Sequence, residues 1–228
     1  MNWFNLLYER NSGRADEPDK PRPEGFRLFV HTFLRNWWGL IGLNILFFFS
    51  CLFLITIPAA LAAVTRVCIC MLRGEAVAVL EEYWRTFREC FLRSLAGGGI
   101  LAVLLALTGY GAVIYGKAMA ENGLLAAPFV ILLLVFLLLL MSSFTLFQMV
   151  VFSELKISRI LKNAVFLTLI CPGRHLLVLA VLAGLIVLYT LCFPYSTVAL
   201  ATIVLSAFWL FTCNVLWPVT RSRVFLEE

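Results

Sequence analysis

Residues 37 to 72 read WWGLIGLNILFFFSCLFLITIPAALAAVTRVCICML, with Arg66 the only charge and Pro58 the only proline. A single bilayer crossing takes ~20 residues, so these thirty-six exceed one span and are read as a helical hairpin. The first arm, Trp37 to Ile55, is apolar all round and opens on an aromatic pair suited to the membrane interface. Pro58 has a fixed φ and no N–H, which suits the first turn of a new helix and biases Ile57 away from the α region. Thr56 then stands where an N-cap belongs. The return arm, Pro58 to Leu72, carries Ala59, Ala60, Ala62 and Ala63, small residues that let backbones approach closely in lipid.

Three runs carry a family resemblance: Gly39-Leu-Ile-Gly-Leu-Asn44, Thr56-Ile-Pro-Ala-Ala60 and Phe87-Arg-Glu-Cys-Phe91. Over roughly Phe26 to Ser94 the chain resembles the YesL family of bacterial integral membrane proteins, a domain of unknown function. In that family the turn commonly reads threonine, any residue, glycine, proline, alanine; Thr56-Ile57-Pro58-Ala59 is one glycine short. The resemblance implies a membrane protein of unassigned activity, of a kind often associated with sugar-uptake systems, and brings no catalytic residues.

Composition leads to the same class independently. Of 228 residues, 62% are apolar and 14% charged, and the mean hydropathy is +0.97, more apolar surface than a soluble domain buries. The fold class is all-α, a polytopic membrane protein of about six transmembrane helices in three hairpins with cytoplasmic amphipathic connecting helices. Lys and Arg then set orientation, so the net charge of +5 carries no nucleic-acid reading. Seven cysteines show no CxxC spacing and sit mostly in apolar runs, where a thiol behaves as a small hydrophobe.

Around this stretch the chain divides into residues 1–25, a cytoplasmic N-terminal segment; 26–220, one helical transmembrane domain; and 221–228, a short cytoplasmic tail. Trp3, Phe4, Leu6 and Leu7 predict a short interfacial helix over Met1 to Tyr8, too short for a signal-peptide core. Pro18, Pro21 and Pro23 among mixed charges predict a flexible linker. Phe26 to Arg35, Glu75 to Leu95 and a piece from Ser153 to the breaker cluster Cys171-Pro172-Gly173-Arg174 each show helical apolar spacing opposite charges, and each precedes a hairpin. This gives a recurring unit over roughly 26–72, 75–151 and 154–219. With six crossings, sixteen of the eighteen Lys and Arg fall on one face, which places both termini in the cytoplasm of a multi-pass cell-membrane protein.

Few residues remain for chemistry. Arg66 inside a span is costly, ~2.5 to 3.5 kcal/mol at bilayer centre, unless it faces protein or water. No acid lies inside a span, so its simplest role is to snorkel or bond a backbone carbonyl, with Glu89 or Glu154 in reach only if the arm is shallow. Asn44, Gln148 and Asn214 are interhelical amides that, with Arg66, would line any midplane polar cleft. Trp84, Phe87 and Phe91 mark an aromatic docking face on the second amphipathic helix, its charges, Glu82 included, remaining solvated. His31 and His175 read as interfacial residues, and no HExxH or GxSxG run occurs. No catalytic site, metal site or cofactor is expected.

The preferred functional reading is a non-catalytic membrane component, accessory or regulatory to a carbohydrate-uptake system; the alternative is a small transporter with a midplane polar cleft. Partners are the lipid bilayer and other membrane proteins such as sugar-transporter subunits, with no nucleic acid. In a cysteine-free background, Glu121→Cys and Tyr195→Cys should react with an impermeant thiol reagent added outside, and Arg14→Cys, Glu82→Cys, Arg159→Cys and Arg223→Cys only after permeabilisation. External labelling of Glu82→Cys would restore a five-span assignment, in which the return arm stays out of the membrane.

Overall fold

The computed structural model describes residues 24–119, 125–192 and 203–225, which are helical with short connections. The sequence assignments for the N-terminal interfacial helix and linker, and positions Arg14, Glu121 and Tyr195, lie outside the described residues. Nine α-helices follow in order: α1 (Phe26–Arg35), α2 (Trp37–Ser50), α3 (Ile57–Leu72), α4 (Val79–Glu89), α5 (Phe91–Met119), α6 (Ala126–Phe152), α7 (Ile157–Ile170), α8 (Pro172–Leu191) and α9 (Leu205–Thr220). A 3₁₀ turn, Leu54–Thr56, leads into α3.

Among the described residues, four helical segments are long and apolar enough to cross a membrane: Leu54–Leu72, α5, α6 and α8. Helix α2 has 14 residues and α9 has 16, each short of the ~20 that a crossing takes. The first arm thus ends earlier than its hydropathy predicts. Thr56 gives the physical reason: its hydroxyl donates to the carbonyls of Ser50 and, at 2.6 Å, of Phe53, closing the end of α2. It makes no side-chain cap on α3, a correction to the sequence reading. A cap bonds the amides at the second and third helical positions, and the second is Pro58, which has none.

Each lead-in and hairpin forms one of three units: α1–α2–α3, α4–α5–α6 and α7–α8–α9. The return arms α3, α6 and α9 pack on one another at the centre. They run parallel, because their contacts advance together. Trp209 Nε1 donates to Thr65 Oγ1 at 2.7 Å and its ring lies 6.2 Å from Phe147, whereas further along Phe152 lies 4.6 Å from Trp217 and Arg73 lies 5.0 Å from both rings. Each lead-in packs on the return arm of the unit before it: α4 on α3, α7 on α6, and α1 on α9. The last contact closes the ring, which includes an edge-on pair of Phe29 and Phe211 at 5.6 Å.

The closure reveals a register that the weak identity between units hides. Thr32, Thr86 and Leu167 occupy corresponding buried positions in the lead-ins, each four residues before the bend at Asn36, Cys90 or Cys171 and each accepting that residue's amide on its carbonyl. Four and seven residues beyond each bend the chain is buried in all three units, at Leu40 and Leu43, Ser94 and Gly97, His175 and Val178.

Helix α3 is the core of the assembly. Ala59, Ala60, Ala62 and Ala63 are at most 1% exposed, and the small face admits α5 as well as the other return arms. At its start Pro58 faces Gly98 so closely that a Cβ on residue 98 would stand 2.8 Å from the proline Cβ. At its end Gly74 adopts φ 67°, the left-handed conformation that turns the chain back so that α4 descends antiparallel along α3. Gly98→Ala should therefore cost ~1 to 3 kcal/mol through overpacking against a rigid ring. Gly99→Ala, with open space around its added Cβ, should stay within ~1 kcal/mol of wild type. Melting of the purified protein in detergent compares them, and equal stabilities would remove the close contact as a determinant.

Candidate functional site: the α3–α4 face and the buried polar groups

The lead-in α4 is shorter than the sequence predicts, because the chain bends at Cys90 and Phe91 already belongs to α5. The side that enters the core is Val79, Tyr83, Thr86 and Cys90, at helical steps of four, three and four. Sequence reasoning missed Tyr83, which is wholly buried and donates its phenol to Ser50 Oγ at 2.9 Å. Burial pushes this phenol up to about 12, so it remains a neutral donor. Its place among charged neighbours, Glu81, Glu82 and Arg85, hid it; the spacing from Val79 was the available signal.

Arg66 is resolved by the same helix. Its Nε lies 3.0 Å from Glu82 Oε1, and its guanidinium carbon stands 4.8 Å from the Phe152 ring centroid. Glu82 also binds Arg85 Nη2 at 2.5 Å through its other oxygen. The partner of Arg66 is thus a lead-in carboxylate, neither a backbone carbonyl nor Glu89 or Glu154, and Glu82 is not solvated as predicted: its side chain is 16% exposed. An acid one residue from the buried Tyr83 is brought to Arg66 as α4 settles on α3. Arg93 does bond backbone carbonyls, at 2.7 Å to Ser153 and 3.0 Å to Leu155, which closes the turn between α6 and α7.

The remaining candidates have separate surroundings. Asn44 is buried beside a cavity of only about 10 Å³ with Phe47, Ser206 and Trp209. Arg66 borders a cavity of about 260 Å³ with Cys70, Glu75 and Glu82. Gln148 is buried between return arms, its Oε1 accepting from Thr220 Oγ1 at 3.0 Å. Asn214 donates to the Gly25 carbonyl at 3.1 Å, where α9 meets the start of α1. Among the described residues, Asn44, Arg66 and Asn214 each border a different cavity, and Gln148 lies between return arms away from all three.

The three aromatic residues do meet. The Trp84 and Phe87 rings lie 5.4 Å apart and Phe87 and Phe91 5.7 Å apart, a continuous half-buried strip across the bend.

His31 is exposed, as an interfacial residue should be, but His175 is not: it is 1% exposed. Its Nδ1 lies 3.0 Å from the Cys171 carbonyl, which accepts only, so Nδ1 carries the proton and Nε2 accepts from Thr145 Oγ1 at 2.8 Å. The Pro172 helix start turns this ring inward, toward α6. Among the described residues no three His, Cys, Asp or Glu side chains are grouped to hold a metal.

A double-mutant cycle of Arg66→Met and Glu82→Gln should give a coupling on the order of 1 to 2 kcal/mol in detergent melting, above the ~0.2 to 1 kcal/mol of exposed pairs. Additive losses would show that the pair contributes nothing to stability.

Residues 40–111 match the family model described as protein of unknown function, DUF624. The match runs from Leu40 in α2 through α3 and α4 to Gly111 in α5, and so includes the Arg66–Glu82 pair and the aromatic strip. No curated protein and no solved structure matches the chain.

Proposed function

We propose that this integral membrane protein is a non-catalytic accessory or regulatory component that docks on membrane-embedded subunits of a carbohydrate-uptake system. The observation that carries this reading is the outer face of α4. Tyr83 and Glu82 fix the helix from within, and Trp84, Phe87 and Phe91 then form a strip beside the exposed Leu80, Arg85 and Arg88. A rigid aromatic and arginine surface loses little entropy on association, and these are the side chains that dominate interface energies. The uptake system enters through the YesL resemblance, and the bilayer is the other partner. Arg73, Lys156, Arg159, Arg221 and Arg223 follow the C-terminal ends of the three parallel return arms. The positive-inside rule assigns that end, and with it both termini, to the cytoplasm.

In-cell crosslinking with mass spectrometry of the tagged full chain tests the proposal. Wild type should give reproducible crosslinks from the α4 segment to a sugar-transporter subunit. Trp84→Glu should reduce their yield at least ~5-fold and Arg88→Glu less than ~2-fold, the difference expected of an aromatic anchor against a rim charge. Leu80→Glu, at a half-exposed position, repeats the test if Trp84→Glu does not fold. Crosslinks at wild-type yield in Trp84→Glu or Leu80→Glu, or none to an uptake subunit in wild type, would overturn it.

A further inference from the structure

The three units do not close identically. Three residues beyond its bend, the second unit carries Arg93, whose bonds to the Ser153 and Leu155 carbonyls fill the junction between α6 and α7. The corresponding residue of the third unit is Arg174, and the corresponding junction lies between α9 and α1. There Arg174 reaches only the Val215 carbonyl, at 3.4 Å, and a cavity of about 720 Å³ stays open.

Three guanidinium side chains line this cavity from three different elements: Arg73 after α3, Arg174 in the first turn of α8, and Arg221 after α9. Glu24 is the one carboxylate among its lining residues. Leu28, Leu177 and Phe211 supply an apolar wall. Arginines gathered at one end of a membrane protein can serve topology alone, but that role needs no common cavity and no separate origin. Guanidinium groups present fixed forks of donors that match phosphate oxygens, and basic pockets between membrane helices suit anionic headgroups.

We propose that the cavity between α1, α8 and the C-terminal ends of α3 and α9 binds a phosphate-bearing anion, the headgroup of an anionic phospholipid. Arg73, Arg174 and Arg221 take the phosphate, and Leu28, Leu177 and Phe211 face the first carbons of the acyl chains. Arg73 is held by its stacking on Trp217 and Phe152, each at 5.0 Å, and by Glu75 Oε1 at 3.6 Å from its Nη1, so the site is partly organised before the ligand enters. Occupancy would bridge the first and third units at the junction that protein groups leave open. A soluble phosphate shares the charge but would leave the apolar wall unused.

Native mass spectrometry of the full chain in neutral detergent, titrated with phosphatidylglycerol and chain-matched phosphatidylcholine, tests this. Phosphatidylglycerol should bind more tightly. The triple variant Arg73→Gln, Arg174→Gln, Arg221→Gln should weaken it on the order of 100-fold, at roughly fivefold per arginine. A control with Arg88→Gln, Arg159→Gln and Lys162→Gln removes as much charge outside the cavity and should change affinity less than about 2-fold. If the triple variant does not fold, Arg221→Gln alone, at an exposed position beyond α9, should give the fivefold loss. Equal affinity for the two lipids, or equal losses in the two triple variants, would overturn the site. Glycerol 3-phosphate binding as tightly as phosphatidylglycerol would keep the phosphate chemistry and overturn the lipid as its source.

Discussion

Close approach of backbones around α3 is the constraint on which the other contacts depend. Between helices in lipid there is little hydrophobic gain, because acyl chains are as apolar as leucine, so association rests on packing and on buried polar bonds. The alanines of α3 remove the side-chain volume that would hold α5, α6 and α9 away. Gly98 does the same opposite Pro58, where even a methyl group does not fit without movement. Once these helices meet, Trp209 can reach Thr65, and Phe147 and Phe152 can reach Trp209 and Trp217. The aromatic layers are thus consequences of the small face.

A ring of three similar units makes economical use of that core. Each return arm is covered by the lead-in of the following unit and by two outer arms, so the same kind of contact is formed three times. Departures from the repeat are then informative. The second unit closes its junction with Arg93, and the first closes it with Gly39, whose added Cβ would press on Met71 and Val79. The third leaves the most space, with Arg174 beside the largest of the three cavities described.

Polar residues in the apolar segments mostly serve the contacts between units. Arg66 joins the first unit to the second through Glu82, His175 joins the third to the second through Thr145, and Gln148 joins the second to the third through Thr220. Each of the two neutral bonds is worth about 0.6 kcal/mol on average, yet an unmatched partner in the same place is costly, so they fix register more than they add stability. A charged pair between α3 and a lead-in also explains how an arginine is tolerated in an otherwise apolar helix.

The sequence by itself determined what depends on local composition and period. The helical membrane class, the hairpin over residues 37–72, the three lead-ins and the small-residue character of α3 all follow from runs and spacings along the chain. So did the aromatic strip, since Trp84, Phe87 and Phe91 are neighbours on consecutive turns. Tertiary structure alone decided which residues meet across units. Glu82 lies 16 positions from Arg66, Thr145 lies 30 from His175, and Arg73, Arg174 and Arg221 come from the ends of three separate helices. Helical period says which face a residue occupies, but not which helix covers that face or at what depth. Those are set by where backbones can approach, and here the alanines of α3, Gly98 and the turn at Gly74 settle them together.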